Sequence, residues 1–170
     1  DYAKTLGCSQ LNCLSGIATP ATAAKQETIL IENLKYAADA LGAAGIRLLL
    51  EPINTRDIPG FVVTNTNQWE RIAAAVGSPN LWLQYDFYHM QIMQGDLIPT
   101  FQRLQNQIAH VQIADTPGRH EPGTGEINHE FLFEQLDVLN YDGWIGCEYR
   151  PIAGTSKGLG WMKQAAGAAA

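Results

Sequence analysis

Positive charge is scarce in this chain. Its 170 residues hold 11 Lys and Arg against 17 Asp and Glu, a formal net charge of -6. Phosphate backbones and anionic membrane surfaces are bound by clustered positive charge. No basic run occurs, so neither nucleic acid nor a membrane is expected as the main partner. Cysteine is sparse and odd in number: Cys8, Cys13 and Cys147 form no CxxC pair and no complete disulfide framework. They read as reduced, buried, small apolar residues of a cytoplasmic protein. No apolar stretch approaches the roughly 18 residues of a membrane span. The phosphate-cradling patterns GxGxxG and GxxxxGK[ST] are both missing. Asp1 stands first where Met would, with no secretory n-region or h-region, which reads as a piece of something longer. What is present is apolar: 46% hydrophobic residues and only 16% charged. That balance excludes disorder and suits one domain with a sizeable core.

Short apolar segments alternate with amphipathic ones. Strands are expected at 10–14, 46–51, 81–86, 108–113 and 144–149. Helices are expected at about 21–41, 67–76, 97–105 and 128–139. The first helix repeats Ile29, Leu30, Leu34, Ala37, Ala38 and Leu41 at helical spacing; the last carries Phe131, Leu132, Leu136 and Leu139 on one stripe. Segments 52–63 and 115–125 are rich in Pro and Gly and read as loops. Trp82, Trp144 and Phe101 are expected in the core, His110 inside, and His120 and His129 at the surface. Residues 1–163 form one domain on this reading, and 164–170 an Ala/Gly-rich disordered tail. Strand–helix alternation means parallel strands with right-handed crossovers. An open doubly wound sheet and a (β/α) barrel both fit, and the missing glycine-rich loop speaks against the former.

The polar residues sit at the strand ends. Glu51 follows RLLL, Asp86 follows WLQY, Gln112 lies in HVQI and Glu148 follows IGC. Successive members are 35, 26 and 36 residues apart, each about one βα repeat. In a parallel barrel such positions converge on the carboxyl-terminal face, where active sites of this architecture lie. A single carboxylate after a strand most often caps a helix or faces water; four strands ending alike carry the reading. Three converging carboxylates repel one another and need protons, cationic side chains or a metal. Three carboxylates and an amide oxygen are hard ligands, suited to Mg²⁺ or Mn²⁺. His89, just past Asp86, could polarise a substrate oxygen or simply start a helix. Arg119 offers a fork of donors to a substrate carboxylate, although a surface arginine is the commoner outcome for such a position.

The runs Glu51-Pro52-Ile53-Asn54, Asp57-Ile58-Pro59-Gly60-Phe61, Gln84-Tyr85-Asp86-Phe87-Tyr88-His89-Met90, His110-Val111-Gln112-Ile113-Ala114-Asp115, Glu121-Pro122-Gly123-Thr124-Gly125-Glu126-Ile127-Asn128 and Gly146-Cys147-Glu148-Tyr149 resemble the hydroxypyruvate isomerase family. The resemblance implies an α/β fold, the xylose isomerase-like (β/α)8 TIM barrel, represented by about its last five βα units. It implies interconversion of hydroxypyruvate and tartronate semialdehyde with a bound divalent metal and no organic cofactor. It assigns Glu51, Asp86, Gln112 and Glu148 as metal ligands, Glu51 and Glu148 as the acid/base pair, and His89 and Arg119 as substrate-binding residues. Glutamine at 112, where related sugar epimerases carry histidine, favours this family within the superfamily. The 2-oxo-tetronate isomerases and ketose 3-epimerases share much of the pattern. A DNA-repair endonuclease on the same barrel would need a histidine-rich multi-zinc site and a basic groove. The rival of another class is a non-catalytic half-barrel, whose unpaired sheet edges a second copy would cover.

Overall fold

The computed structural model describes residues 1–21 and 24–162. The tail expected at 164–170 lies outside them. A short helix α1 (Tyr2–Leu6) leads into strand β1 (Gln10–Cys13). Then follow α2 (Gln26–Gly42), β2 (Arg47–Leu50), α3 (Thr66–Val76) and β3 (Leu81–Asp86). The chain continues through α4 (Phe87–Met93), α5 (Leu97–Leu104), β4 (Ile108–Ile113), α6 (His129–Val138), β5 (Ile145–Cys147) and α7 (Thr155–Gly158). The five strands pair in sequence order, and every pairing is parallel. That is the progression of a barrel wall; a doubly wound sheet would reverse its order.

Register explains the amino-acid pattern of the strands. Asn12 pairs with Leu49, Leu49 with Trp82, Asp86 with Gln112, and Gln112 with Gly146. Paired residues share a face and faces alternate along a strand. Leu48, Leu50, Leu83, Tyr85, Val111 and Ile113 therefore lie on the face that the helices cover, and all are buried in one core. Asn12, Gln84, Asp86, His110 and Gln112 lie on the opposite face, with Glu51 and Glu148 just past the strands. Leu30, Leu34 and Ala38 of α2, Trp69 and Ile72 of α3, Phe101 of α5, and Leu132 and Leu136 of α6 complete the core. Tyr85, Phe87, Phe101 and Tyr141 join through edge and stacked ring contacts.

Several expectations are corrected. The helix expected from about Ala21 begins at Gln26. Ile29 and Phe131 are half-exposed, because a helix packed on one sheet face buries a narrower stripe than its apolar spacing suggests. Trp144 is 82% exposed at the start of the edge strand β5, and Trp82 is half-buried under the Arg47 guanidinium. Cys8 and Cys147 are exposed and Cys13 is half-buried; all three are free. Cys13 and Cys147 lie on the two edge strands, where helix cover is thinnest. His129 is buried: it opens α6 turned inward, its ring beside Phe133 and its Nδ1 3.1 Å from the Ile127 carbonyl oxygen. His120 is half-buried, with Nδ1 2.7 Å from the Arg150 carbonyl oxygen.

Candidate active site

The ends of β2, β3, β4 and β5 bring Glu51, Asp86, Gln112 and Glu148 to one face, and a chain of side-chain hydrogen bonds links three of them. Gln84 Nε2 donates to Glu51 Oε2 (2.8 Å) and to Gln112 Oε1. Gln112 Nε2 donates to Glu148 Oε2 (2.8 Å). Asn12 Nδ2 donates to the same Glu51 oxygen from β1 (2.7 Å). Asn12 and Gln84 were not anticipated as site residues. The available signal was period two: Gln84 precedes Asp86 by two on one strand face.

Burial differs sharply across the group. Glu51 and Asp86 are buried, at 4% and 1% exposure, whereas the Glu148 side chain is 56% exposed. Asp86 divides its two oxygens between two tasks. Oδ1 accepts from the Tyr88 main-chain N–H (2.8 Å) and so caps α4. Oδ2 is buried and has no hydrogen-bond partner; neither does Glu51 Oε1. Burial first, then the neighbouring Asp86, pushes the Glu51 carboxyl up to about 8. Burial raises Asp86 to about 7 against the opposing pull of Arg119. Desolvation lowers His89 to about 4, and the Arg119 charge adds to it.

His89 and Arg119 close the group. His89 is buried on α4, its Nε2 3.7 Å from Glu51 Oε1 and 3.6 Å from Asp86 Oδ2. Arg119 sits in the 115–125 loop at a positive φ of 58°. Its Nη2 lies 3.1 Å from Glu148 Oε2 and 3.9 Å from Asp86 Oδ2; its Nε donates to the Glu148 carbonyl oxygen, and its guanidinium covers the Tyr88 ring. That loop is wound around Asp115, which is fully buried. Asp115 Oδ1 accepts from the N–H groups of Thr116 and Ile127, and Oδ2 from those of Gly123 and Gly125. A Cβ at Gly125 would run into the Thr116 carbonyl oxygen, so glycine is required there.

Two buried, unpartnered carboxylate oxygens facing one another are costly. A cation between them is the direct remedy, so the donor set fits a divalent metal. Among the described residues, Glu51, Asp86 and His89 offer ligand atoms that all lie within 4.8 Å of one another. Glu148 stands outside that radius, held by Gln112 and Arg119, and the Gln112 carbonyl oxygen is taken up by Gln84. No helix among the described residues is long and apolar enough to cross a membrane.

Comparison with known proteins agrees with this architecture. A family model described as xylose isomerase-like TIM barrel matches residues 1–165. The chain is 47% identical over 164 residues to a 2-oxo-tetronate isomerase of Cupriavidus necator and 49% identical over 163 residues to a hydroxypyruvate isomerase of Escherichia coli K12, covering 96% and 95% of this chain respectively. The crystal structure of an AP endonuclease, family 2, from Brucella melitensis superposes with a TM-score of 0.91 at 42% identity over 96% of the chain. The chain spans 63% of the length of each of these three proteins.

Proposed function

Because the chain belongs to the xylose isomerase-like TIM barrel family, we propose that its strand-end cluster is the isomerising site of a metal-dependent enzyme for small 2-hydroxy-carbonyl acids. Hydroxypyruvate and tartronate semialdehyde are the expected pair. The observation that carries the reading is the buried Glu51–Asp86 pair with its two unpartnered oxygens, beside an arginine and a neutral histidine. The names of the Escherichia coli and Cupriavidus relatives support an isomerase and keep a four-carbon 2-oxo acid as the second substrate to test. The endonuclease named in the Brucella structure finds no support in the charge of -6, nor in a cluster with a single histidine.

Glu51, Asp86, Gln112 and Glu148 would hold Mg²⁺ or Mn²⁺, which supplies Lewis acidity toward a neighbouring carbonyl oxygen. Gln112 and Glu148 would exchange their present partners, Gln84 and Arg119, for the cation. Arg119, so released, pairs with the substrate carboxylate through two parallel N–H donors. One of Glu51 and Glu148 removes a proton from the hydroxymethyl carbon. A proton is returned to the former carbonyl carbon, and the hydroxyl hydrogen passes between the two oxygens, so no atom is gained or lost. His89 steadies the developing oxyanion by donating from Nε2. A positioned carboxylate base contributes about 10²–10⁴-fold.

The test is an assay of hydroxypyruvate, tartronate semialdehyde and 2-oxo-tetronate with Mg²⁺, Mn²⁺ or chelator. Interconversion of one pair that chelation abolishes is expected. Metal-independent turnover overturns the metal dependence of the reading; turnover of none of these substrates overturns the reading whole and leaves the non-catalytic half-barrel. Glu148→Gln should lower proton exchange at the substrate carbon by at least about 10²-fold while the fold survives; exchange at the original rate sinks its role as the base.

A further inference from the structure

Asn54 lies three residues beyond Glu51 in the loop after β2 and is fully buried. Its main-chain N–H donates to His89 Nδ1 (3.3 Å), and its Nδ2 lies 2.7 Å from the same nitrogen. Nδ2 also donates to Asp57 Oδ2 (3.1 Å), while Oδ1 accepts from the Asp57 main-chain N–H (2.8 Å). A main-chain N–H can only donate, so the end of the amide facing it is the carbonyl and the end facing His89 is the amino group. Asp57 Oδ2 is held in turn by the Tyr88 hydroxyl (2.7 Å). The amide is thus fixed from both sides.

Two donors aimed at Nδ1 leave no room for a proton on it. The single proton of the neutral imidazole then resides on Nε2, the nitrogen that faces Glu51 Oε1 and Asp86 Oδ2. A nitrogen bearing hydrogen has no lone pair free for a cation. We propose that Asn54 is the positioning residue that locks His89 in the Nε2–H tautomer, so that His89 acts as a hydrogen-bond donor toward a substrate oxygen and stays out of the metal's coordination sphere. The ring's nearness to the two carboxylates is then a donor's position. The substrate half of this inference rests on the proposed isomerase; the tautomer does not.

The test is a long-range ¹H–¹⁵N spectrum of the labelled chain at neutral pH after chelation, with His89 assigned by its loss in His89→Gln. A single tautomer is expected, with Nδ1 pyridine-like and Nε2 pyrrole-like. Asn54→Asp sets an acceptor oxygen against Nδ1 and should reverse the pattern. If that variant does not fold, Asn54→Ala decides: it should show tautomer averaging, and an unaltered spectrum overturns the role of the side chain. A wild-type ring protonated on Nδ1, or a folded Asn54→Asp with the wild-type pattern, overturns the proposal as well. With Mn²⁺ added as probe, spin-echo spectra should lack coupling to a directly bound histidine nitrogen; such coupling refutes it. In an active preparation, kcat of Asn54→Asp should fall about 10–100-fold, as for other side chains that orient a site histidine. A wild-type chain with the expected tautomer but without turnover would sink the isomerase reading and leave the tautomer standing.

Discussion

At the residue scale, Asp86 is both of the things a carboxylate after a strand can be. One oxygen caps α4, and the other is buried and unpartnered. Sequence spacing singled out Glu51, Asp86, Gln112 and Glu148 because each ends a strand, and Asn12, Gln84 and Asn54 escaped because they fall outside that spacing and their roles depend on what they face. The raised carboxyls give a pH prediction. Unfolded Glu and Asp ionise near 4, whereas folded Glu51 and Asp86 keep their protons to about 8 and about 7. Their contribution is whole below pH 4 and is lost as pH rises through 8, so the protein in chelator weakens across that window. His89, lowered to about 4, has the opposite sign: its contribution holds above 6.5 and is lost as pH falls toward 4. A fall in stability between pH 7 and 8 is therefore due to the carboxyls. Urea midpoints in chelator should show that fall, and Glu51→Gln should flatten it.

At the scale of elements, local chemistry sets the boundaries. α3 starts where the Asn65 side chain accepts from the Gln68 N–H and stops at left-handed Gly77; Asn128 caps α6 through the Phe131 N–H. Asn65→Ala should cost about 1 kcal/mol in chemical denaturation, with m unchanged. The helix α4 was not legible, since Phe87-Tyr88-His89-Met90 is buried all round and shows no helical period. The 115–125 loop was legible as a loop, but its centre was not: Asp115 reads as an ordinary turn residue until four N–H groups are seen to converge on it. Asp115→Asn replaces an acceptor with an amino group facing those donors. It should cost about 2–4 kcal/mol and loosen the Arg119 backbone, which hydrogen exchange across 116–125 would register. Retained protection there would mean that the loop is held by its docking to Arg150 instead.

Across the whole molecule, five parallel strands in sequence order bury their apolar face under the helices and gather their polar ends on one side. A site assembled this way is coupled to the fold. Mn²⁺ at about 100 times its Kd should stabilise the chain by about 2.7 kcal/mol. For a chain of this size the midpoint should rise roughly 5–10 °C, and Glu51→Gln should cancel the shift. Among the described residues β1 and β5 each pair on one side, with Leu11, Leu14 and Trp144 exposed nearby. Concentration-dependent association is expected, and a sedimentation coefficient unchanged over a hundredfold dilution would refute it.

The sequence by itself determined the strand–helix alternation, the parallel class and the four residues at the strand ends, because periodicity and spacing are local properties of a chain. Only the tertiary structure decided that Glu51 and Asp86 are buried while Glu148 faces water, that Trp144 lies outside and His129 inside, and that Asn54 governs the His89 ring. Burial, hydrogen-bond direction and the loss of solvent around a carboxyl depend on partners brought in from other strands and loops, as Asn12 and Gln84 are to Glu51 and Asn54 is to His89, and no spacing within a segment encodes them.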